Sequence, residues 1–243
     1  MNFALILAAG VGQRMRNGGL PKQFLKLQGK PIIIYTLEKF ANMSDIDKIV
    51  IPCHGAYVEY LEELLDIYHI HKVERVIAGG KDRQASLLRG LEAIRQAGAL
   101  GGDIVIVHDG VRPLVSEATI RENIRIASQA GCAITVHPVT ESVVITPEGE
   151  AAIGDFKKRA ETYTMTAPQT FRFETLAKAF QAGHPEEFQG MPLLDAAMLY
   201  AAAGGKPHLV KEQNTNLKIT TPEDFYILRA MLELEENKFI FGL

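Results

Sequence analysis

Short apolar runs rich in valine and isoleucine alternate along the chain with longer stretches whose apolar positions recur every three or four residues. This alternation is expected when parallel strands are joined by crossover helices. It predicts an α/β fold, a Rossmann-like, mostly parallel sheet flanked by helices. Strands are expected near 3–8, 48–53, 73–77, 103–108 and 132–138, because each run is apolar on consecutive residues, as a strand covered on both faces must be. Helices fit between them, from Pro31 to about Asn42, Tyr57 to Tyr68, Asp82 to Ala97 and Ser116 to Ala130. Pro31 suits a first helical turn. Ser116 followed by Glu117 has the chemistry of a helix start, a hydroxyl to take a free backbone N–H and a carboxylate at the positive end.

After Pro138 the rhythm changes. Val143-Val144-Ile145-Thr146 reads as a strand, Pro147-Glu148-Gly149 as a turn, and the polar stretch to Arg159 carries no helical stripe. Residues 139–163 are therefore expected to form a β-arm projecting from the sheet. Left alone, such an arm would leave backbone donors and the Val143–Ile145 run uncovered, which a twofold-related copy can cover reciprocally. A homodimer is the expectation. Helices follow near Phe173–Gln181 and Leu194–Ala203, then a strand at Leu209–Lys211, the run Asn216–Thr220 and a last helix from Pro222 to about Glu236. No internal repeat, low-complexity tract or linker interrupts this order, so residues 1–243 read as one domain with an arm.

Composition narrows the function. Lys and Arg number 26 and Asp and Glu 29, a net charge of −3, so no global basic field is available for nucleic acid or an anionic membrane. An anionic ligand must then be met by locally placed cations. The two cysteines, Cys53 and Cys132, lie far apart in apolar runs, which argues against a disulfide framework or a zinc cluster and fits the cytoplasm. The N-terminal apolar run is of strand length and lacks a basic leader, and no stretch approaches the roughly 18 apolar residues of a membrane span. A soluble, cytoplasmic protein is expected.

Three strand-to-helix turns carry candidate chemistry. Leu7-Ala8-Ala9-Gly10-Val11-Gly12-Gln13-Arg14-Met15 places small residues at the carboxyl end of the first strand, where open α/β sheets bind ligands. Small side chains let backbone N–H groups approach phosphate or base, and Arg14 adds a cation. The turn is neither a Walker loop nor a full G-x-G-x-x-G, and a plain tight turn with a solvated arginine would look the same. Lys22, in Pro21-Lys22-Gln23-Phe24, supplies a second cation suited to a polyphosphate. Gly79-Gly80-Lys81-Asp82-Arg83-Gln84-Ala85-Ser86 is a second such turn, which could hold a ribose, base or phosphate or could be a simple turn capped by Asp82. His108-Asp109-Gly110-Val111-Arg112-Pro113 sets a carboxylate at the sheet's edge, where Asp109 could hold Mg²⁺ together with substrate phosphates. His108 itself reads as a packed core histidine. No Ser/His/Asp nucleophile set stands out. In-line displacement at phosphorus needs positioning and cations more than a protein nucleophile, and an attacking phosphate, already ionised, needs no general base.

Together with Ala167-Pro168-Gln169 and Asn216-Leu217-Lys218-Ile219-Thr220, these motifs resemble, in the same order and from Ala4 to Phe225, the cytidylyltransferases that activate polyol phosphates. Those are the 2-C-methyl-D-erythritol 4-phosphate and D-ribitol 5-phosphate enzymes. The resemblance implies CTP and a polyol phosphate as substrates, Mg²⁺ as cofactor, and pyrophosphate and a CDP-polyol as products. It further implies that Leu7, Ala8, Ala9 and Gly10, with Gly80, Arg83, Ser86 and Asp109, hold the nucleotide and that Asp109 helps place the metal. Arg14 and Lys22 would meet the triphosphate, and Lys218 would lie between the attacking phosphate and the α-phosphate. Arg159, on the arm, would reach the polyol phosphate in a neighbouring subunit, with Ser142 and Arg112 also on the acceptor side.

Departures from the family pattern fall on that acceptor side. Glu141-Ser142 stands where the methylerythritol enzymes carry an Asp-Thr pair, and Ala167-Pro168-Gln169 where a Thr-Pro-Gln triplet is usual. A lost hydroxyl changes which polyol hydroxyls can be satisfied, and an unpaired buried hydroxyl is expensive. With the ending Asn216–Asp224 and its long helix, this favours D-ribitol 5-phosphate or a related capsule or teichoic-acid polyol phosphate, with methylerythritol 4-phosphate and isoprenoid biosynthesis as the alternative. A nicotinamide oxidoreductase would need an acidic residue at the end of the second strand, which here reads Ile51-Pro52-Cys53-His54-Gly55. A non-catalytic nucleotide-binding homologue would keep Arg14, Lys22, Asp109 and Lys218 only by coincidence.

Overall fold

The computed structural model describes residues 1–10, 20–147, 152–182, 187–188, 191–192, 195–212 and 215–241. Along the chain run β1 (Asn2–Leu7), β2 (Lys26–Leu27), β3 (Lys30–Pro31), α1 (Ile32–Ala41), β4 (Lys48–Cys53), α2 (Val58–Ile67), β5 (Val73–Ala78) and α3 (Arg83–Gln96). Next come β6 (Ile104–Asp109), α4 (Glu117–Ala130), β7 (Cys132–Pro138), β8 (Val143–Ile145), β9 (Asp155–Lys157), β10 (Tyr163–Arg172) and α5 (Phe173–Gln181). The chain closes with β11 (Glu187–Phe188), β12 (Met191–Pro192), α6 (Ala196–Ala202), β13 (His208–Lys211) and α7 (Pro222–Phe241). No helix among the described residues is long and apolar enough to cross a membrane.

Seven strands form one sheet in the order β13-β7-β10-β6-β1-β4-β5. All its pairings are parallel except those of β10, which runs antiparallel to both neighbours. The consecutive apolar residues of β1 point alternately into two cores: Ala4 and Ile6 meet α1, α2 and α4 on one face, and Phe3 and Leu5 meet α3, α5 and α6 on the other. This double cover explains why these strands lack a polar alternation. The expected mostly parallel α/β sheet is what the chain forms, and Ser116 caps α4 as anticipated, its Oγ accepting from Thr119 N at 3.0 Å.

Strand β10 escaped the sequence reading because Pro168 sits in its middle, where a ladder donor is missing. The register of β10 against β7 shifts between Met165 and Gln169, so the proline lies in an irregular step of the ladder. Side chains take the carbonyls there: Thr135 Oγ1 donates to Pro168 O at 2.7 Å, and Asn216 Nδ2 donates to Ala167 O. A third, small core of Leu27, Ile32, Val111, Leu114, Ile219 and Leu228 ties the 216–220 strap and α7 to the loop after β6. α7 runs past the expected Glu236 to Phe241. The arm is a separate two-stranded hairpin in which β8 pairs antiparallel with β9, so its backbone donors are partly met within the arm itself.

Candidate active site

The carboxyl ends of β1, β4, β5 and β6 meet in one place. Ala8 N donates to Pro52 O at 2.9 Å, Gly79 N to Cys53 O at 2.7 Å and Gly110 N to Leu7 O at 2.9 Å, which laces the four strand ends together. Above them opens a cavity of about 500 Å³. Leu7, Ala8, Ala9, Gly10, Lys22, Gly80, Arg83, Ser86, Asp109 and Lys218 all line it, so residues from both ends of the chain converge as the sequence suggested. Arg112 stands behind Asp109. Arg14 lies outside the described residues. Ser142 and Arg159 belong to the arm region and do not line this cavity; Arg159 Nη1 donates to Thr140 O at 3.3 Å.

Close backbone approach fixes the glycines of the second turn. A Cβ on Gly79 would stand 2.3 Å from Ala9 Cβ, and one on Gly80 would stand 2.3 Å from Ala85 Cβ. Ser86 Oγ accepts from Gly80 N at 3.0 Å and donates to Asp82 O at 2.8 Å, while Asp82 caps α3 by accepting from Ala85 N at 2.7 Å. The hydroxyl therefore shapes the turn that walls the cavity. Gln23 is a residue whose task the sequence did not reveal. Buried beside Ala8 and Gly10, its Nε2 donates to Ala8 O at 2.6 Å and to Gly10 O at 3.1 Å, clamping the small residues that leave β1. A glutamine next to Lys22 carries no signal of that role until the end of β1 is seen beside it.

Electrostatically the site is built around one carboxylate. Buried Asp109 pairs with three cations: Arg83 Nη1 at 2.7 Å from Oδ1, and Arg112 Nε and Lys218 Nζ each at 3.0 Å from Oδ2. Burial alone would push its carboxyl up, but Arg83, Lys218 and Arg112 hold it well below the usual carboxylate range. Lys22 Nζ donates to Ile219 O at 2.7 Å, tying the second cation to the strap that carries Lys218. Around the pocket Lys22, Lys81, Arg83, Arg112 and Lys218 outnumber the carboxylates of Asp82 and Asp109, which leaves it poised for an anion. His108, beneath it, is fully buried and packs on Phe40, and its Nε2 donates to Arg112 O at 3.1 Å. Burial pushes its pKa down to about 4, so the ring is neutral at neutral pH, the packed core histidine anticipated from the sequence.

The pattern of the family described as IspD, 2-C-methyl-D-erythritol 4-phosphate cytidylyltransferase, matches residues 2–234. The chain belongs to this family. A ribitol-5-phosphate cytidylyltransferase of Vibrio parahaemolyticus is 38% identical over 242 residues, with all of both chains covered. One of Streptococcus agalactiae is 35% identical over 243 residues, again with both chains fully covered. Among solved structures, the 2-C-methyl-D-erythritol 4-phosphate cytidylyltransferase of Francisella tularensis superposes with a TM-score of 0.76 at 27% identity, covering 93% of this chain and 97% of that one. Membership in the family makes the chain a nucleotidyltransferase on a Rossmann-like sheet, as its motifs implied.

The fit of Mg²⁺ can be judged from this geometry. A carboxylate offers about four lone-pair positions, and three donors already take three of those of Asp109, leaving one on Oδ1. Among the described residues no group of three or more His, Cys, Asp or Glu side chains gathers to hold a metal. The cations would repel a bare dication. They suit one that arrives on a polyanionic triphosphate, because Mg²⁺ binds through one or two carboxylates plus substrate phosphates.

Proposed function

We propose that this protein transfers CMP from CTP to D-ribitol 5-phosphate, releasing pyrophosphate and forming CDP-ribitol. The observation that carries this reading is the cluster of Arg83, Arg112 and Lys218 on the buried Asp109 carboxylate, at the rim of a cavity floored by small residues. Two phosphates that must react repel each other, and cations held in advance by a fixed carboxylate lower that repulsion without reorganising during the step. An oxygen of the acceptor phosphate attacks the α-phosphorus of CTP in line. The new P–O bond forms as the bond to the β-phosphate oxygen breaks, and pyrophosphate leaves with the electron pair.

In this mechanism Lys218 screens the attacking and α-phosphates, and Lys22, with Arg14, meets the charge on the departing pyrophosphate. Leu7 to Gly10 and Gly80 line the nucleotide pocket with backbone, Ser86 holds the shape of that wall, and Asp109 and Arg83 bound its far side. Mg²⁺, bound with the triphosphate and with Asp109 as the nearby carboxylate, would neutralise phosphate charge. No protein base is required, because the nucleophile is already ionised.

The ribitol acceptor is favoured by the two full-length relatives at 38% and 35% identity, against 27% for the methylerythritol enzyme, and by Ala167 and Ser142 at acceptor-side positions. The family description keeps 2-C-methyl-D-erythritol 4-phosphate as the second reading. Residues 1–243 act in this account as one cytoplasmic nucleotidyltransferase domain, a location consistent with Cys53 and Cys132 both being buried and unpaired. The arm offers Ile145 at 47% and Phe156 at 70% exposure, apolar surface that a second copy can cover, and we take the working enzyme to be a homodimer with Arg159, Ser142 and Arg112 on the acceptor side.

The test is incubation with CTP, Mg²⁺ and D-ribitol 5-phosphate, reading both pyrophosphate and the product mass. CDP-ribitol formed one for one with pyrophosphate is the expected result. No CDP-polyol from this acceptor overturns the reading.

A further inference from the structure

Glu212 follows β13 directly and has no part in the chemistry described above. Its backbone N donates to Val136 O at 2.9 Å, which fixes where the residue leaves the sheet. Partly buried, its Oε1 accepts from Thr166 Oγ1 at 2.7 Å, and both carboxylate oxygens lie 3.2 Å from Asn216 Nδ2. Asn216 is itself buried, and its amide also donates to Ala167 O, so its two N–H groups have two destinations, the β10 irregularity and Glu212. From Asn216 the connections run into the active site. Its backbone O accepts from Arg112 Nη1 at 2.8 Å, Arg112 Nε reaches Asp109, and two residues further on Lys218 reaches the same carboxylate.

We propose that Glu212 is a positioning residue for the acceptor half of the site: by clasping Asn216 it sets the strap that places Arg112 and Lys218 against Asp109. The inference rests on the cytidylyltransferase reading for its kinetic consequence, though not for its structural one. Nothing else among the described contacts holds the Asn216 side chain from the β13 side. Burial pushes the Glu212 carboxyl up from its ordinary value, with Thr166, Asn216 and the Arg112 charge pulling it back, as expected of a carboxylate kept from water for its hydrogen bonds. An amide can do the same work. In Glu212→Gln, Oε1 still accepts from Asn216, and Nε2 donates to Thr166 Oγ1, whose own hydrogen turns to Thr135 O, 3.3 Å away. In Glu212→Ala the strap loses its clasp.

The experiment compares Glu212→Ala and Glu212→Gln in steady-state kinetics and in crystal structures. Misplacing reactive groups by an ångström costs up to about 100-fold. We therefore expect the alanine variant to lose at least about tenfold in kcat/KM for the polyol phosphate, through lower kcat and higher acceptor KM, with CTP affinity within about twofold of wild type. Glu212→Gln should stay close to wild type. A merely structural residue would lower the melting temperature and leave this split unmoved. Alanine-variant kinetics matching wild type, or equal damage in both variants, overturns the proposal. The crystal structures judge it without any turnover: the Lys218–Asp109 contact should be lost in Glu212→Ala and kept in Glu212→Gln, and an unmoved contact in the alanine variant refutes it. Wild-type protein that makes no CDP-polyol would refute the functional reading alone. Should the alanine variant not fold, Asn216→Ala breaks the same link from the other side and must show the same split.

Discussion

Lys218 Nζ lies 3.0 Å from Asp109 Oδ2, joining the strap before the last helix to the end of the central strand β6. The contact is built by folding, since Ile219 N donates to Val111 O at 3.0 Å and Ile219 packs beside Val111 and Leu114 in a small core. A lysine at 37% side-chain exposure is thereby fixed at the rim of the pocket while its charge stays open to an incoming phosphate.

The first prediction concerns that charge. Lys218→Met and Lys22→Met should each lower kcat/KM by about 100-fold or more, the scale of a lost charge-stabilising contact of roughly 3 kcal/mol. Arg14→Met should act likewise. Steady-state pyrophosphate release is the measurement, and near-normal turnover in all three variants would remove the charge-screening mechanism.

His108 makes stability depend on pH. Its folded pKa is lowered from 6.5 to about 4, so between those values the unfolded chain binds the extra proton and stability rises with pH. The contribution is complete above 6.5 and is lost as pH falls toward 4, with a slope of at most about 1.4 kcal/mol per pH unit. Denaturant melts at pH 5 and 7 should show this slope in the wild type and a shallower one in His108→Phe, whatever the variant's absolute stability.

Mg²⁺ should bind with the nucleotide and not before it. In a thermal-shift titration, Mg²⁺ alone should leave the melting temperature unchanged, CTP alone should raise it, and the two together should raise it further, since a ligand that binds only the native state stabilises by mass action. Stabilisation by Mg²⁺ alone would point to a preformed metal site around Asp109 and contradict the cation-rich arrangement.

Arg159 should serve the site of a second subunit. Mixing Arg159→Ala protein with Lys218→Met protein should restore up to about a quarter of the sites, because random pairing makes half the dimers mixed, each with one intact site. No recovery after verified subunit exchange, or a monomer by light scattering, excludes the shared site.

Much of the fold was legible because the central strands are covered on both faces and so read as unbroken apolar runs, as in Phe3 to Leu7 and Ile104 to Val107. Turn chemistry was legible too, since Asp82 and Ser116 are caps that the sequence announces. Strand β10 was not, because Pro168 looks like a strand breaker until Thr135 and Asn216 are seen to take the carbonyls beside it. In the site, Lys22 and Asp109 were visible through residue type, and Lys218 through the resemblance to the cytidylyltransferases. Gln23 reaches Ala8 and Gly10 across 15 and 13 residues of chain, and Glu212 joins Asn216, four residues on, to Thr166, 46 residues back, geometry that no local pattern encodes. Asp109 was expected as a nucleotide-binding and metal-placing carboxylate, and its place at the hub of three cations appears only once β6, α3 and the strap are assembled.

Cytidylyl transfer to a ribitol phosphate is put to the test by competition between acceptors. Wild-type protein is given Mg²⁺, CTP and equimolar D-ribitol 5-phosphate and 2-C-methyl-D-erythritol 4-phosphate, with ATP, GTP and UTP in parallel tubes, and the nucleotide products are weighed by mass spectrometry. CDP-ribitol should be the dominant product, with little transfer from the other three nucleotides. A majority of the methylerythritol product, or equal transfer from another nucleotide, would contradict it.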